Sequence, residues 1–112
     1  MSNINSHRMY NTISHEHLDD LINWVIGEYP DSGLILVECE DGRWFIEQEY
    51  GHAYDSFSGI SKPKLEPYLE PNFYTNRNKA LAMAIELIKR VYKNIDETKI
   101  SEYFNEGDKR LN

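Results

Sequence analysis

LILVECEDGRWFIEQEY, residues 34–50, decides how this chain folds. Two runs rich in apolar and β-branched residues flank Asp41-Gly42, and Asp-Gly accommodates the positive φ values of a two-residue hairpin loop. That loop places Glu40 opposite Arg43, Cys39 opposite Trp44, Glu38 opposite Phe45 and Val37 opposite Ile46. It also places Leu36 opposite Glu47 and Ile35 opposite Gln48. One face of the ribbon then holds Ile35, Val37, Cys39, Trp44 and Ile46, the expected core face. The other holds Leu34, Leu36, Glu38, Glu40, Arg43, Phe45, Glu47 and Glu49, an acidic face with apolar residues embedded in it. A one-residue slip of either strand exchanges its faces and buries glutamates, which favours this register.

Working outward, Leu18, Leu21, Ile22, Val25 and Ile26 recur at the spacing of one buried helical stripe. The spacing predicts an N-terminal helix over about 14–27, capped by Ser14, with Glu16 at its positive end and Gly27 and Pro30 stopping it. After the hairpin, a third strand is expected near 53–60, with Tyr54 and Phe57 as its apolar content. Prolines 63, 67 and 71 then exclude a regular helix or a central strand. An extended connection is expected there, laying Tyr68, Leu69 and Phe73 against the body. A long helix over about 76–94, capped by Thr75, carries Leu81, Ala84, Ile85, Ile88, Val91, Tyr92 and Ile95 on its main stripe, widened by Ala80, Met83 and Leu87. A short last helix over about 97–106, capped by Asp96 or Thr98, ends at Gly107. The expected fold is two-layer α+β, with helices packed on one face of a three-stranded antiparallel sheet.

This element order, with the Thr-led, alanine-containing helix in YTNRNKALAMAIELIKR, resembles the double-stranded RNA-binding domain over most of residues 14–94. The resemblance implies a final helix that opens with a lysine cluster straddling phosphates. Here that start offers Arg77 and Lys79 beside an acidic sheet, and phosphate contacts supply most nucleic-acid affinity. Direct nucleic-acid binding therefore ranks behind the other readings.

A length of 112 residues fits one domain, 1–112, with 1–11 and 107–112 expected as mobile tails. The single cysteine, Cys39, cannot form an internal disulfide and suits a reducing, cytoplasmic setting. No apolar run approaches the ~18 residues of a membrane span. The net charge is −7, and it is segregated: from Met9 to Ser61 eleven acids face one base, Arg43. Segregated charge gives the molecule a directional field.

No catalytic signature stands out. His15 and His17, placed on a helix, would point about 200° apart and could not share an ion. His7 and His52 lack a cysteine or carboxylate at ligand spacing, and the twelve-position calcium loop is absent. Cys39 is expected on the core face, where a thiol acts as a small hydrophobe. Tyr50-Gly51-His52-Ala53-Tyr54-Asp55-Ser56 holds hydroxyl, imidazole and carboxylate groups, but a triad is a matter of geometry. Lys89, Arg90 and Lys93 complement the dipole at the end of the long helix. No cofactor, metal or enzymatic activity is assigned.

The functional expectation is a non-enzymatic inhibitor of the toxin-immunity or phage anti-defence kind. Its acidic hairpin face would block a basic, nucleic-acid-processing partner. Glu38, Glu40, Glu47 and Glu49 would meet cations, Phe45 and Tyr50 would anchor, and Tyr54 and Asp55 would extend the patch. The alternatives are a small-ligand or nucleotide module using the Tyr50–Phe57 loop, and the double-stranded-RNA-binding-like domain. A monomer or weak homodimer is expected.

Overall fold

A computed structural model describes residues 6–93, 95 and 97–102. The elements are α1 (Ser6–Met9), β1 (Thr12–His17), α2 (Asp19–Ile26), β2 (Gly33–Cys39), β3 (Trp44–Tyr50) and α3 (Arg77–Val91). The strands form one antiparallel sheet in the order β1-β2-β3. The fold is α+β, as the sequence predicts, but the third strand is not at 53–60. It is β1, which occupies the start of the expected first helix. Residues 51–60 are turns and bends, although Tyr54 and Ile60 are buried in the main core. The αβββα order behind the RNA-binding-domain resemblance is therefore not present: the hairpin is preceded by a strand and a helix, and no third hairpin-side strand follows it among the described residues.

The physical reason lies in TISHEH, residues 12–17. It is an edge strand with mostly exposed side chains, so it carries no apolar alternation to announce it. The helical stripe itself is real. Leu18, Leu21, Ile22 and Val25 are buried and Ile26 packs against them, but the helix starts at Asp19. Its N-cap is Leu18, with no side-chain cap; Ser14 instead bonds Glu38 and Glu16 bonds Arg77. Gly27, at φ +86°, ends the helix as expected.

The hairpin register differs by one residue from the two-residue expectation. Glu38 lies opposite Trp44, Val37 opposite Phe45, Leu36 opposite Ile46 and Ile35 opposite Glu47. The loop is Glu40-Asp41-Gly42: the Gly42 amide closes on the Cys39 carbonyl at 3.0 Å, the Cys39 amide bonds the Arg43 carbonyl at 2.8 Å, and Gly42 takes φ +90°. This is the three-residue hairpin with a glycine bulge. The slip exchanges the faces of β2 relative to β3. Leu34, Leu36 and Ile46 pack with α2 and α3, while Ile35, Val37, Cys39 and Phe45 form a second cluster on the opposite face. Leu36 and Phe45 are fully buried.

Both faces of the sheet are thus covered. The second cover is Tyr10 and Phe73, whose rings meet Phe45 edge-on at 5.3 and 5.8 Å. Tyr10 belongs to the expected N-terminal tail, yet it packs against this second cluster and Ser6–Met9 form α1; residues 1–5 and 107–112 lie outside the described residues. The proline-bearing connection also closes the outer edge of β3. Ser61 bridges Glu47 and Tyr74 bridges Trp44, each with two backbone hydrogen bonds to β3. Those bonds remove an edge that otherwise invites pairing with another chain. Tyr68 and Phe73 lie against the body, but Leu69 is exposed.

α3 buries Ala80, Leu81, Ala84, Ile85, Leu87 and Ile88, while Met83 faces out. Its cap is Asn76, whose side chain accepts from the Lys79 amide at 2.9 Å, rather than Thr75. Residues 97–102 are helical; the rest of the expected 97–106 helix lies outside the described residues. Thr98 sits inside that helix, and Asp96 lies outside the described residues. No helix among the described residues is long and apolar enough to cross a membrane.

Candidate functional site

The residues expected to make one outward acidic face are distributed over three environments. Phe45 and Tyr54 are fully buried, so neither can anchor a partner on this surface. Glu38 lies on the helix side and accepts from the Ser14 hydroxyl at 2.9 Å. Glu47 is buried on the opposite side, and Glu49 neighbours it there. Asp55 turns inward toward Gln48 at 2.8 Å and pairs with His52 at 2.9 Å. Of these residues only Glu40, beside Asp41, and Tyr50, at 37%, are exposed. For the strand residues the cause is the register: a slip of one residue turned every side chain of β3 to the other face relative to β2.

The hairpin tip retains part of the expected chemistry. A shallow groove there is lined by Met9, Tyr10, Asn11, Glu40, Asp41 and Arg43. The Asn11 carbonyl holds the Glu40 amide at 2.8 Å. Asp41 accepts from the Arg43 amide and guanidinium at 3.0 and 2.7 Å, which holds its carboxyl pKa below the ordinary value. Two large apolar side chains are exposed beside this acidic turn: Met9 at 50% and Ile13 at 62%. Ile13 is the extra residue of a bulge between the Thr12–Cys39 and Ser14–Glu38 pairs, which turns it out of the sheet.

The opposite side of the sheet gathers histidines. On a strand, residues i and i+2 share a face, so His15 and His17 of β1 stand together over Val37 and Ile35. Their rings are 5.2 Å apart, and His7 of α1 lies 5.7 Å from His15. His7 Nε2 is 2.7 Å from Glu47 Oε2, and His17 Nδ1 is 2.8 Å from Glu49 Oε2. These five side chains line a cleft of about 270 Å³, just below the usual range of small-molecule pockets. Asp19, at the start of α2, stands beside this row: one ligating atom each from His17, Asp19 and Glu49 lie within 4.8 Å of one another. Burial, reinforced by the Glu49 charge, raises the Asp19 carboxyl pKa above its ordinary value.

Glu47 also accepts from the buried Ser61 hydroxyl at 2.8 Å, and Ser61 contacts the Tyr68 hydroxyl at 3.0 Å. Serine, histidine and carboxylate are thus adjacent, but in the wrong order for nucleophilic catalysis. The carboxylate separates Ser61 from His7, so the imidazole has no path to the serine proton. This grouping is a buried bonding network.

The Tyr50–Phe57 loop lines a second cleft, with Lys62 on its far wall, of only about 80 Å³. That is far below the volume a nucleotide needs. Lys62 turns its ammonium onto the Asp55 and Phe57 carbonyls, and burial lowers its pKa. The loop is a braced support for β3.

Sequence reasoning missed the histidine row because the helix expectation put His15 and His17 on opposite sides. The signal was there in the period-two spacing of His15-Glu16-His17, which has meaning only on a strand. Comparison with protein-family models, curated proteins and solved structures finds no match to this chain.

Proposed function

We propose that this protein is a non-enzymatic binding protein that engages a basic partner protein through the acidic tip of its hairpin. The observation that supports this most is the exposure of Met9 and Ile13 beside Glu40 and Asp41. Apolar anchors rimmed by like charge make a compact contact surface, and the acidic rim steers and orders a cationic one. The excess of acids over bases between Met9 and Ser61 extends that field. A nucleic-acid-processing enzyme, whose cleft is built to attract phosphates, is the partner chemistry that fits. Occupation of that cleft would make this protein an inhibitor. The fully buried free thiol of Cys39 is consistent with a reducing compartment.

The test is affinity capture by the immobilised full chain at low and high salt, beside Ile13→Ser/Glu40→Lys. A basic protein retained by the parent at low salt, released at high salt and not held by the variant supports the reading. Equal retention by both chains overturns it. Circular dichroism of the variant checks the fold, and both substituted positions are exposed.

A further inference from the structure

From the convergence of His17, Asp19 and Glu49 we infer a binding site for a divalent first-row transition-metal ion, of the Zn²⁺ class. It lies at the end of the sheet away from the hairpin tip and is separate from the partner surface. The three groups come from β1, the start of α2 and β3, with the end of β2 between them. Two features of the backbone let them meet across that central strand. Gly33 is the β2 residue at this point, and a Cβ there would overlap the Tyr50 ring and lie 2.9 Å from Asp19 Oδ1. The missing side chain leaves the space into which Asp19 reaches. Glu49 is the extra residue where the pairing slips from Leu34–Gln48 to Gly33–Tyr50. Such a bulge re-aims a side chain, and this one meets His17.

The donor set selects the ion. One imidazole nitrogen with two carboxylates suits Zn²⁺ and its neighbours, whereas Ca²⁺ and Mg²⁺ favour an all-oxygen shell. Ligands on an ion at roughly 2.1 Å stand about 3.4 Å apart in a tetrahedron, so the His17–Glu49 pair, now at 2.8 Å, opens slightly to admit the ion and Asp19 adjusts by side-chain rotation. Two carboxylates neutralise a divalent charge, and solvent can fill a remaining position. Asp19 Oδ1 is sealed from solvent and, the neighbouring Tyr50 hydroxyl apart, has no hydrogen-bond partner among the described residues, and an ion would give it one. Binding needs the Nδ1 lone pair of His17, so the proton shared with Glu49 leaves that atom, either to Nε2 or to solvent.

The experiment is titration of untagged full-length chain, stripped with chelator, with ZnCl₂ by calorimetry and thermal shift, and with CoCl₂ by visible absorption. The expected result is one ion per chain, a rise in melting temperature, and a Co²⁺ spectrum of low coordination number. His17→Ala and Asp19→Asn should each weaken binding by more than about 100-fold, beyond the roughly 10–100-fold that the loss of an outer-shell group costs. His52→Ala, which removes an exposed histidine paired elsewhere, should leave it unchanged. Asp19→Asn also removes repulsion with Glu49, so the ion-free variant should melt no lower than the parent, separating lost ligation from misfolding. Absence of stoichiometric binding by the parent overturns the site, as does unchanged binding in both ligand variants. Equal loss in His52→Ala overturns it as well. None of these results bears on the hairpin tip, whose test uses different residues.

Discussion

Glu47 is the residue on which the second face of the sheet turns. The residue is 6% exposed, and its carboxylate accepts from Ser61 while pairing with His7. Replacing Glu47 with alanine leaves the buried Ser61 hydroxyl with Tyr68 as its remaining side-chain contact and takes the carboxylate from His7, at a cost of about 2–3 kcal/mol. Glu47→Gln keeps an acceptor for Ser61 and should cost roughly half as much. Urea denaturation of the two variants checks the order; equal losses would mean that volume, not bonding, sets the cost. Asp55 makes a second residue-scale prediction. The Gln48 side-chain amide, with the hydrogen bond and charge of His52, lowers its carboxyl pKa. A depressed folded-state value stabilises the fold above the ordinary carboxylate pKa of about 3.9 and loses that contribution as pH falls through the folded value. The melting-temperature advantage of the parent over Asp55→Asn should therefore hold near neutrality and shrink between about pH 5 and about pH 2. A gap that stays constant with pH would show that Asp55 acts only through its shape.

At the scale of elements, the two glycines flanking β3 separate conformational strain from steric overlap. Gly42 takes φ +90° in the hairpin loop, with open space where a Cβ would go. Gly42→Ala should cost about 1 kcal/mol, the penalty of left-handed backbone alone. Gly51 takes φ +79°, and a Cβ there would overlap the Asp31 carbonyl and the Ser32 side chain that anchors the Ala53 amide. Gly51→Ala should cost well above 2 kcal/mol, because backbone must move. Denaturant midpoints of the pair decide it; equal costs would remove the overlap at Gly51. The same elements show what the sequence carries. Helical stripes were legible because their apolar period is unbroken, and Leu81, Ala84, Ile85 and Ile88 are buried as spaced. The hairpin's position was legible from Asp41-Gly42, but its register was not. GLILVEC is apolar at odd and even positions alike because β2 is central and buried on both faces, so alternation cannot choose between loops of two and three residues. β1 escaped notice for the opposite reason: an exposed edge strand needs no apolar period. The acidic face fell with the register, and the histidine row rose with β1.

For the molecule as a whole, the sheet is the middle layer. Helices seal one face with most of the core, and a thin cover of Tyr10, Phe73 and the proline-bearing connection seals the other. The thin side depends on residues that look like a tail. Tyr10 packs on Phe45 and Phe73 and receives the Tyr68 hydroxyl at 3.2 Å, while His7 reaches Glu47. Removing residues 1–10 would leave Phe45 and Val37 facing water and Glu47 without its imidazole. The loss of one packed aromatic alone is worth about 3 kcal/mol, a large share of the ~5–15 kcal/mol that holds a domain folded. The truncated chain should melt well below the parent and bind an apolar dye such as ANS. Its far-ultraviolet circular dichroism should persist, because α2, α3 and their side of the sheet remain intact. Tyr10→Phe, which keeps the ring and drops the hydroxyl, should lose only about 1 kcal/mol and bind no dye. A truncated chain with the parent's melting temperature and no dye binding would mean that Ile35, Val37, Cys39 and Phe45 are not a true second core. The contrast between the two variants assigns the stability to ring packing across the sheet.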